Sequence, residues 1–264
     1  MLIATWNVNS LKARLARVLE WLEMVQPEVL VMQETKMHDV DFPALEFSSL
    51  GYESVHHGEG RWNGVAILSR VGLEGAVSGF HEGIEPDPDA RLITATCGGV
   101  RVMSVYVPNG REVGHEHFEY KLSWLGRLRD HLDADPTEAT DDLVVLGDWN
   151  IAPADADVWN TNVFDETSTH VTTEERACLA RICDWGLSDV FRARYSSDGL
   201  FSWWDYRRGD FHQKRGMRID YLLCSESLAQ RSRSDLVDRN GRKGTKPSDH
   251  APVLGLFDPA RDGA

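Results

Sequence analysis

Residues 2–36 constrain the fold of this chain more than any other stretch. Leu2–Ile3–Ala4–Thr5–Trp6 reads as a strand and ends in Asn7–Val8–Asn9–Ser10. Ser10 is placed to cap a helix whose Leu11, Leu15, Val18, Leu22 and Val25 share one face, with Pro27 just beyond its end. Val29–Leu30–Val31–Met32 is a second buried strand, followed at once by Gln33–Glu34–Thr35–Lys36. A strand, a helix and a strand in so short a span make a β-α-β unit and predict a layered α/β architecture. If the two strands run parallel, Asn7, Asn9 and Glu34 reach one sheet edge, where ligands of such folds bind.

The same order of apolar run and polar ending recurs. Val144–Val145–Leu146 leads into Gly147–Asp148–Trp149–Asn150. Gly147 permits a turn that a side chain would obstruct, so Asp148 and Asn150 emerge at a strand's C-terminal end. Gly, Asp and Asn are also ordinary turn residues, so this segment alone does not separate a site from a turn. Gly64–Leu68 is a further strand. Arg91–Thr96 and Val100–Val107 flank Gly98–Gly99 and predict a hairpin, hence a mixed sheet. The second of these ends in Tyr106–Val107–Pro108–Asn109–Gly110. Residues 41–61 read as irregular, His115–Leu132 as helical, and Asp133–Asp142 as an acidic surface loop. Thr172–Thr173–Glu174–Glu175 matches a capping box ahead of a helix reaching Trp185. Phe201–Tyr206 reads as an aromatic strand, Arg207–Arg218 as a basic loop, Arg218–Cys224 as a strand with an acid inside it, and Val253–Phe257 as the last strand. Residues 1–264 are expected to form one catalytic domain.

Composition sets bounds on function. With 42% hydrophobic and 27% charged residues, the chain has material for a large core. No apolar run approaches the roughly 20 residues of a membrane span, and no basic-then-apolar leader is present, so a cytoplasmic protein without a membrane partner is expected. Cys97, Cys178, Cys183 and Cys224 lack C-x-x-C spacing and are expected as buried thiols. A net charge of −14 excludes a purely electrostatic nucleic-acid coat but leaves open an acidic enzyme with a local basic rim.

Asn7, Asn9, Glu34 and Asp249 are hard oxygen donors, and there is no Cys/His cluster, so the set suits Mg²⁺ or Mn²⁺ and not Zn²⁺. Glu34 could equally cap a following helix. An Asp within Ile219–Asp220–Tyr221–Leu222–Leu223 is expected to be buried and to need a partner; His250 is a suitable one, held charged or in one tautomer.

Six segments, taken in order, carry a resemblance: Thr5-Trp-Asn-Val-Asn9, Gln33-Glu-Thr-Lys36, Val105-Tyr-Val-Pro-Asn109, Gly147-Asp-Trp-Asn150, Arg218-Ile-Asp220 and Ser248-Asp-His250. With Phe201-Ser-Trp-Trp-Asp-Tyr-Arg207, they make the chain resemble the exonuclease III family of apurinic/apyrimidinic (AP) endonucleases from residue 3 to residue 257. The resemblance implies a four-layered α/β sandwich, two mixed β-sheets packed face to face with helices outside. It also implies Mg²⁺- or Mn²⁺-dependent hydrolysis of double-stranded DNA at abasic sites or blocked 3′ ends by a monomer.

Residue by residue, the resemblance implies that Asp148 orients or deprotonates the attacking water and that Asn150 positions Asp148 or the scissile phosphate. Glu34 is implied as principal metal ligand, with Asn7, Asn9, Asp148, Asn150, Asp249 and His250 around the metal. His250, held by Asp220, would stabilise the charged phosphorane, and Tyr106 would contact the phosphate. Trp203, Met217 and Ile219 match positions lining a pocket for an extruded abasic sugar, although core packing would look the same. Arg207, Arg208, Lys214, Arg215 and Arg218 would border that pocket, or form a solvated loop. Asn9 stands where some members carry Asp, Asn109 where the best-known bacterial member has Gln near the DNA groove, and Trp149 where relatives have Met or Phe. Rival readings are a phosphatase, sphingomyelinase or deoxyribonuclease I-like enzyme with the same polar set, or a catalytically silent DNA-binding protein on the same scaffold.

Overall fold

The computed structural model describes residues 1–81, 83–134 and 142–260. Its strands are β1 (Leu2–Asn7), β2 (Val29–Gln33), β3 (Glu53–His57), β4 (Val65–Ser69), β5 (Glu74–Ser78), β6 (Leu92–Cys97), β7 (Val100–Tyr106), β8 (Leu143–Asp148), β9 (Leu187–Asp189), β10 (Asp220–Ser225), β11 (Ser232–Val237) and β12 (Val253–Phe257). They form two six-stranded mixed sheets, ordered β11-β12-β1-β2-β4-β3 and β5-β6-β7-β8-β10-β9. Helices α1 (Leu11–Val25), α2 (Ala44–Ser49), α3 (Glu116–Ala134) and α4 (Thr173–Cys183) are joined by the shorter α5 (Val190–Arg194), α6 (Asp210–Gln213) and α7 (Glu226–Ala229).

Near the middle of each sheet lies one parallel pair made by a β-α-β unit. In the first sheet α1 connects β1 to β2; in the second α3 connects β7 to β8. Every other strand pairing is antiparallel among the described residues. Side chains alternate faces along a strand, and both faces of both sheets are covered. Ile3, Val29, Val31 and Ile67 of one sheet meet Ile93, Val102, Val144, Leu146 and Leu222 of the other in the central core. The opposite face of the first sheet packs on α1 through Ala4, Trp6, Val18 and Leu22. That of the second packs on α3 and α4 through Val145, Leu128, Leu132 and Ile182. The result is the four-layered α/β sandwich.

The β-α-β unit, the hairpin at Gly98–Gly99 and the Thr172 capping box stand as the sequence predicts, and the cysteines are free thiols, buried except for the half-buried Cys183. No helix among the described residues is long and apolar enough to cross a membrane. Four readings need correction. Ser10 occupies the helix N-cap position without a side-chain cap, because its backbone N–H donates to the Glu34 carbonyl at 2.7 Å and ties β1's end to β2's. Residues 41–61 hold α2 and β3; β3 is partly exposed on both faces at a sheet edge, so it lacks the apolar pattern of an inner strand. Phe201–Tyr206 is no strand: Trp203 makes only single bridges to Met217 and His250. Arg218 is not on the surface; it is 1% exposed and bonded to Asp157 and Asp189. Residues 135–141 of the expected acidic loop lie outside the described residues.

Gly147 is required for a different reason from a turn. It lies inside β8, opposite Val105 of β7, and a Cβ there would stand 1.9 Å from the Val105 carbonyl oxygen. Glycine therefore sets the close approach of β7 and β8 one residue before Tyr106 and Asp148 come side by side. Gly147→Ala is expected to cost about 2 kcal/mol or more, as overpacking does in a rigid interior, measured as a drop in the urea unfolding midpoint. An unchanged midpoint would show that the two strands part freely.

Candidate active site

The inward faces of both sheets turn polar toward one end. Along β1 the inward residues run Ile3, Thr5, Asn7; along β2 Val29, Val31, Gln33; along β8 Val144, Leu146, Asp148. Thr5 Oγ1 donates to Gln33 Oε1 at 3.1 Å, and Gln33 Nε2 donates to Ser104 Oγ of the facing sheet at 3.2 Å. This polar layer separates the apolar core from the residues at the strand ends.

Those residues converge. Asn7 Nδ2 donates to Glu34 Oε1 at 2.8 Å and to Asp148 Oδ2 at 2.9 Å, so one carboxamide links a carboxylate from each sheet. Asp148 sits opposite Tyr106 on β7 and Asp220 on β10. His250 Nδ1 lies 2.8 Å from Asp220 Oδ2, and its Nε2 lies 3.7 Å from Asp148 Oδ2. Asp220 is fixed in turn by Ser202 Oγ at 2.6 Å. Tyr106 hydrogen-bonds Glu34 through its phenol, and burial pushes that phenol well above its ordinary pKa, so it stays a donor. Asp249 accepts from Asn9 Nδ2 at 3.0 Å and from Trp203 Nε1 at 3.1 Å.

Strand ends hold these groups in uncommon backbone conformations. Glu34 and Asn150 have φ of 53° and 51°. Asn tolerates the left-handed region; a Glu there costs about 1 kcal/mol or more. Asn150 is held firmly, with Nδ2 on the Val107 carbonyl at 2.9 Å and its own N–H on Asp148 Oδ1 at 3.0 Å. Asn109 Nδ2 reaches Asn150 Oδ1 at 3.2 Å.

Charge in the cluster is unbalanced. Burial, followed by Asp220 and Glu34, raises Asp148 to about 7 against the pull of His250 and Asn7. Burial opposes charge on His250, but Asp220 and then Asp148 overcome it and push the imidazole up to about 10. The Lys36 ammonium stands 2.6 Å from Glu34 Oε2 and 2.7 Å from Asn9 Oδ1, so these oxygens already converge on a cation. Ligand atoms of Glu34, Asp148 and His250 lie within 4.8 Å of one another. Buried carboxylates with hard oxygen donors and a surplus of negative charge fit a divalent cation.

The structure brings together Asn7, Asn9, Glu34, Tyr106, Asn109, Asp148, Asn150, Asp220, Asp249 and His250. Met217 and Ile219 are buried in an apolar cluster with Ala152 and Val158, and half-buried Trp203 packs on it while bonding Asp249. Arg207 is exposed, with its guanidinium on Asp205 at 2.6 Å. Arg218 stands apart as a buried structural cation.

Several contributors escaped the sequence reading. Lys36 was visible within Gln33–Lys36 yet had no assigned part. Arg91 lies over the Tyr106 ring at 4.8 Å. His170 Nδ1 is 2.6 Å from the Asn150 carbonyl, and burial lowers this imidazole to about 4, so a neutral ring donates there. Beneath it, buried Lys121 pairs with Glu175 and donates to the Asn150 carbonyl at 2.7 Å. No spacing in the chain signals these last contacts, because they join a helix interior to distant loops.

The sequence pattern of the Endonuclease/Exonuclease/phosphatase family matches residues 4–250. The chain is 33% identical to exodeoxyribonuclease III of Haemophilus influenzae, over 97% of this chain and 100% of that protein. A 3′ phosphatase from Neisseria, solved with a product DNA hairpin, superposes with a TM-score of 0.93 at 38% identity, covering 98% of this chain and 99% of that one. An AP endonuclease from Archaeoglobus fulgidus gives a TM-score of 0.93 at 35% identity, with 98% and 99% covered.

The His250–Asp220 pair has a titration signature. Because the folded pKa is raised from 6.5 to about 10, the pair's contribution to stability is complete below pH 6.5 and fades as pH climbs through 10. In an NMR titration of the metal-free protein His250 is expected to stay protonated through neutral pH, and Asp220→Asn to bring its midpoint below neutrality. A His250 midpoint near 6.5 in the unaltered chain would contradict the arrangement.

Proposed function

The chain belongs to the exonuclease III branch of the Endonuclease/Exonuclease/phosphatase family, and on that premise we propose a metal-dependent DNA-repair nuclease. Its central activity is that of an AP endonuclease, hydrolysing the phosphodiester 5′ to an abasic site, with 3′→5′ exonuclease and 3′-end-cleaning activity on double-stranded DNA. The observation that carries this reading is Asp148, buried between Asn7 and the Asp220-anchored His250.

The residues divide the work. Asp148 is placed to orient the attacking water and take its proton, and a pKa raised to about 7 suits a base at neutral pH. His250, kept charged by Asp220, presents its Nε2 side to the reacting phosphate and stabilises the extra negative charge of the phosphorane. Tyr106 offers a phenol donor to the same phosphate. Asn150, locked by the Val107 carbonyl, positions Asp148. Glu34 is the principal candidate for holding Mg²⁺ or Mn²⁺, with oxygens of Asn7, Asn9, Asp148, Asn150 and Asp249 around it and the charged His250 beside the ion and not on it; such an ion would supply charge neutralisation and an acidified water. Trp203, Met217 and Ile219 offer an apolar wall for an extruded abasic sugar, beside Asp249 through the Trp203 indole. Arg207 and Asn109 flank the DNA path. The enzyme acts as a monomer in the cytoplasm.

A second reading, in which 3′-end repair is the main task, is favoured by the likeness to the Neisseria 3′ phosphatase. Two duplexes, one with an internal abasic analogue and one with a 3′-phosphate, separate the readings: the dominant activity is the one processed faster.

On the abasic duplex, chelator is expected to abolish incision and Mg²⁺ or Mn²⁺ to restore it; full activity in excess chelator would sink the metal site. Asp148→Asn should lower the incision rate by on the order of a thousandfold with DNA binding retained. A near-normal rate would return Asp148 to the status of a turn residue. Trp203→Ala should narrow the ratio of incision rates on abasic and intact duplexes without changing the metal requirement. An unchanged ratio in a folded protein would assign Trp203 to packing alone.

A further inference from the structure

Among the described residues three arginines are buried: Arg91, Arg218 and Arg242. Arg91 is paired with Asp89, and Arg218 with Asp157 and Asp189. Arg242, 7% exposed, is different. Its guanidinium lies over the rings of Tyr206 and Phe211 at 5.1 and 5.2 Å. Among the described residues its buried Nε meets no acceptor, and no carboxylate pairs with it. Aromatic faces offer a cation some attraction, but they accept none of the guanidinium's directed N–H bonds, and a buried N–H without an acceptor is costly.

Arg242 lines a cavity of about 330 Å³ between residues 205–212 and 242–247, together with Lys243, His212 and Asp210. One wall joins the candidate active site. The Tyr206 hydroxyl donates to the Pro247 carbonyl at 2.9 Å and accepts from Arg14 at 3.0 Å, and Asn9 Nδ2 approaches it at 3.5 Å. Asn9 in turn bonds Asp249. Tyr206 therefore lines the cavity and also reaches Asn9 at the edge of the catalytic cluster.

We propose that this cavity is a second phosphate subsite, which takes a phosphodiester of the DNA strand flanking the one that is cut. The assignment rests on the nuclease reading. Arg242 supplies a fork of donors suited to two phosphate oxygens, and Lys243 adds charge at the mouth. Asp205 is neutralised by Arg207, but Asp210 lines the cavity with an Oδ1 that has no hydrogen-bond partner among the described residues. That carboxylate opposes a dianion more than a monoanion. It thereby selects the singly charged diester of a DNA backbone over free inorganic phosphate, which is a dianion at pH 8.

The test uses the full chain carrying Asp148→Asn, with Mg²⁺ present, so that a labelled duplex with an abasic analogue is bound and not cut. Failure of this parent protein to bind the duplex would strike the nuclease reading itself. Adding Arg242→Met keeps the stem across both rings and removes the fork. The expected result is a Kd raised roughly tenfold and a slope of log Kd against log salt reduced by about 1. Unchanged Kd and slope in a folded variant would overturn the subsite. If Arg242→Met does not fold, the isosteric Asp210→Asn decides: duplex binding should tighten severalfold, and an unchanged Kd would overturn the proposal. Inorganic phosphate titrated as competitor at pH 8 should compete poorly while Asp210 is present and severalfold better in Asp210→Asn. Equal competition in both would show that free phosphate, and not the DNA backbone, is the ligand.

Discussion

The structure depends on the two-residue alternation of strands being in phase across two facing sheets. Inward positions of β1, β2, β7, β8 and β10 are apolar for most of their length, which glues the sheets together. The same positions become Asn7, Tyr106, Asp148 and Asp220 at one end. A one-residue slip of any of these strands would send its functional group to the helix side and leave a hydrophobic residue facing the cleft. Register and chemistry are therefore specified by the same packing. Gly147 shows how tightly: the backbone of β8 touches that of β7 just before the two strands deliver Asp148 and Tyr106.

Electrostatics inside the cleft follow from that geometry. Carboxylates delivered from both sheets are too close to be indifferent to one another. Asn7 and Lys36 offset part of their repulsion by donating to Glu34, and His250 is held charged by Asp220. The left-handed backbone at Glu34 adds strain to an already unfavourable concentration of charge. Such a site is maintained at the expense of stability gained elsewhere, in the three apolar layers.

Much of this was legible in the sequence, and for definable reasons. The β-α-β unit declared itself through strand and helix periodicities side by side. Asp220 announced its burial by standing within an apolar strand, and its partnership with His250 followed from the cost of an isolated buried charge. Elements without a periodic signature were less accessible. β3 and β5 lie at sheet edges and carry no apolar alternation. The aromatic run at Phe201–Tyr206 suggested a strand, but its rings pack loops onto the sheet ends instead. Arg218 looked like part of a basic surface because a linear sequence does not show that Asp157 and Asp189 come to meet it. His170 and Lys121 were invisible for the same reason, and Glu175 was legible only as a helix cap: its pairing with Lys121 forms once distant segments have packed.

The pairing of β1 with β12 has a consequence for how the protein comes into being. Leu2 lies opposite Leu256 and Thr5 opposite Val253, so strands nearly the whole chain apart are neighbours in the first sheet. Asn7 ends one of them, and His250 precedes the other. During synthesis the early strand must wait, with one edge unpaired, until residues 248–257 have left the ribosome. Closing so long a loop is slow, and a chain halted before that point holds Glu34 and Asp148 but lacks His250. The polar cluster between the sheets thus comes together only once residues 248–257 have been made, and a chain halted earlier holds two of its carboxylates without the imidazole that Asp220 grips.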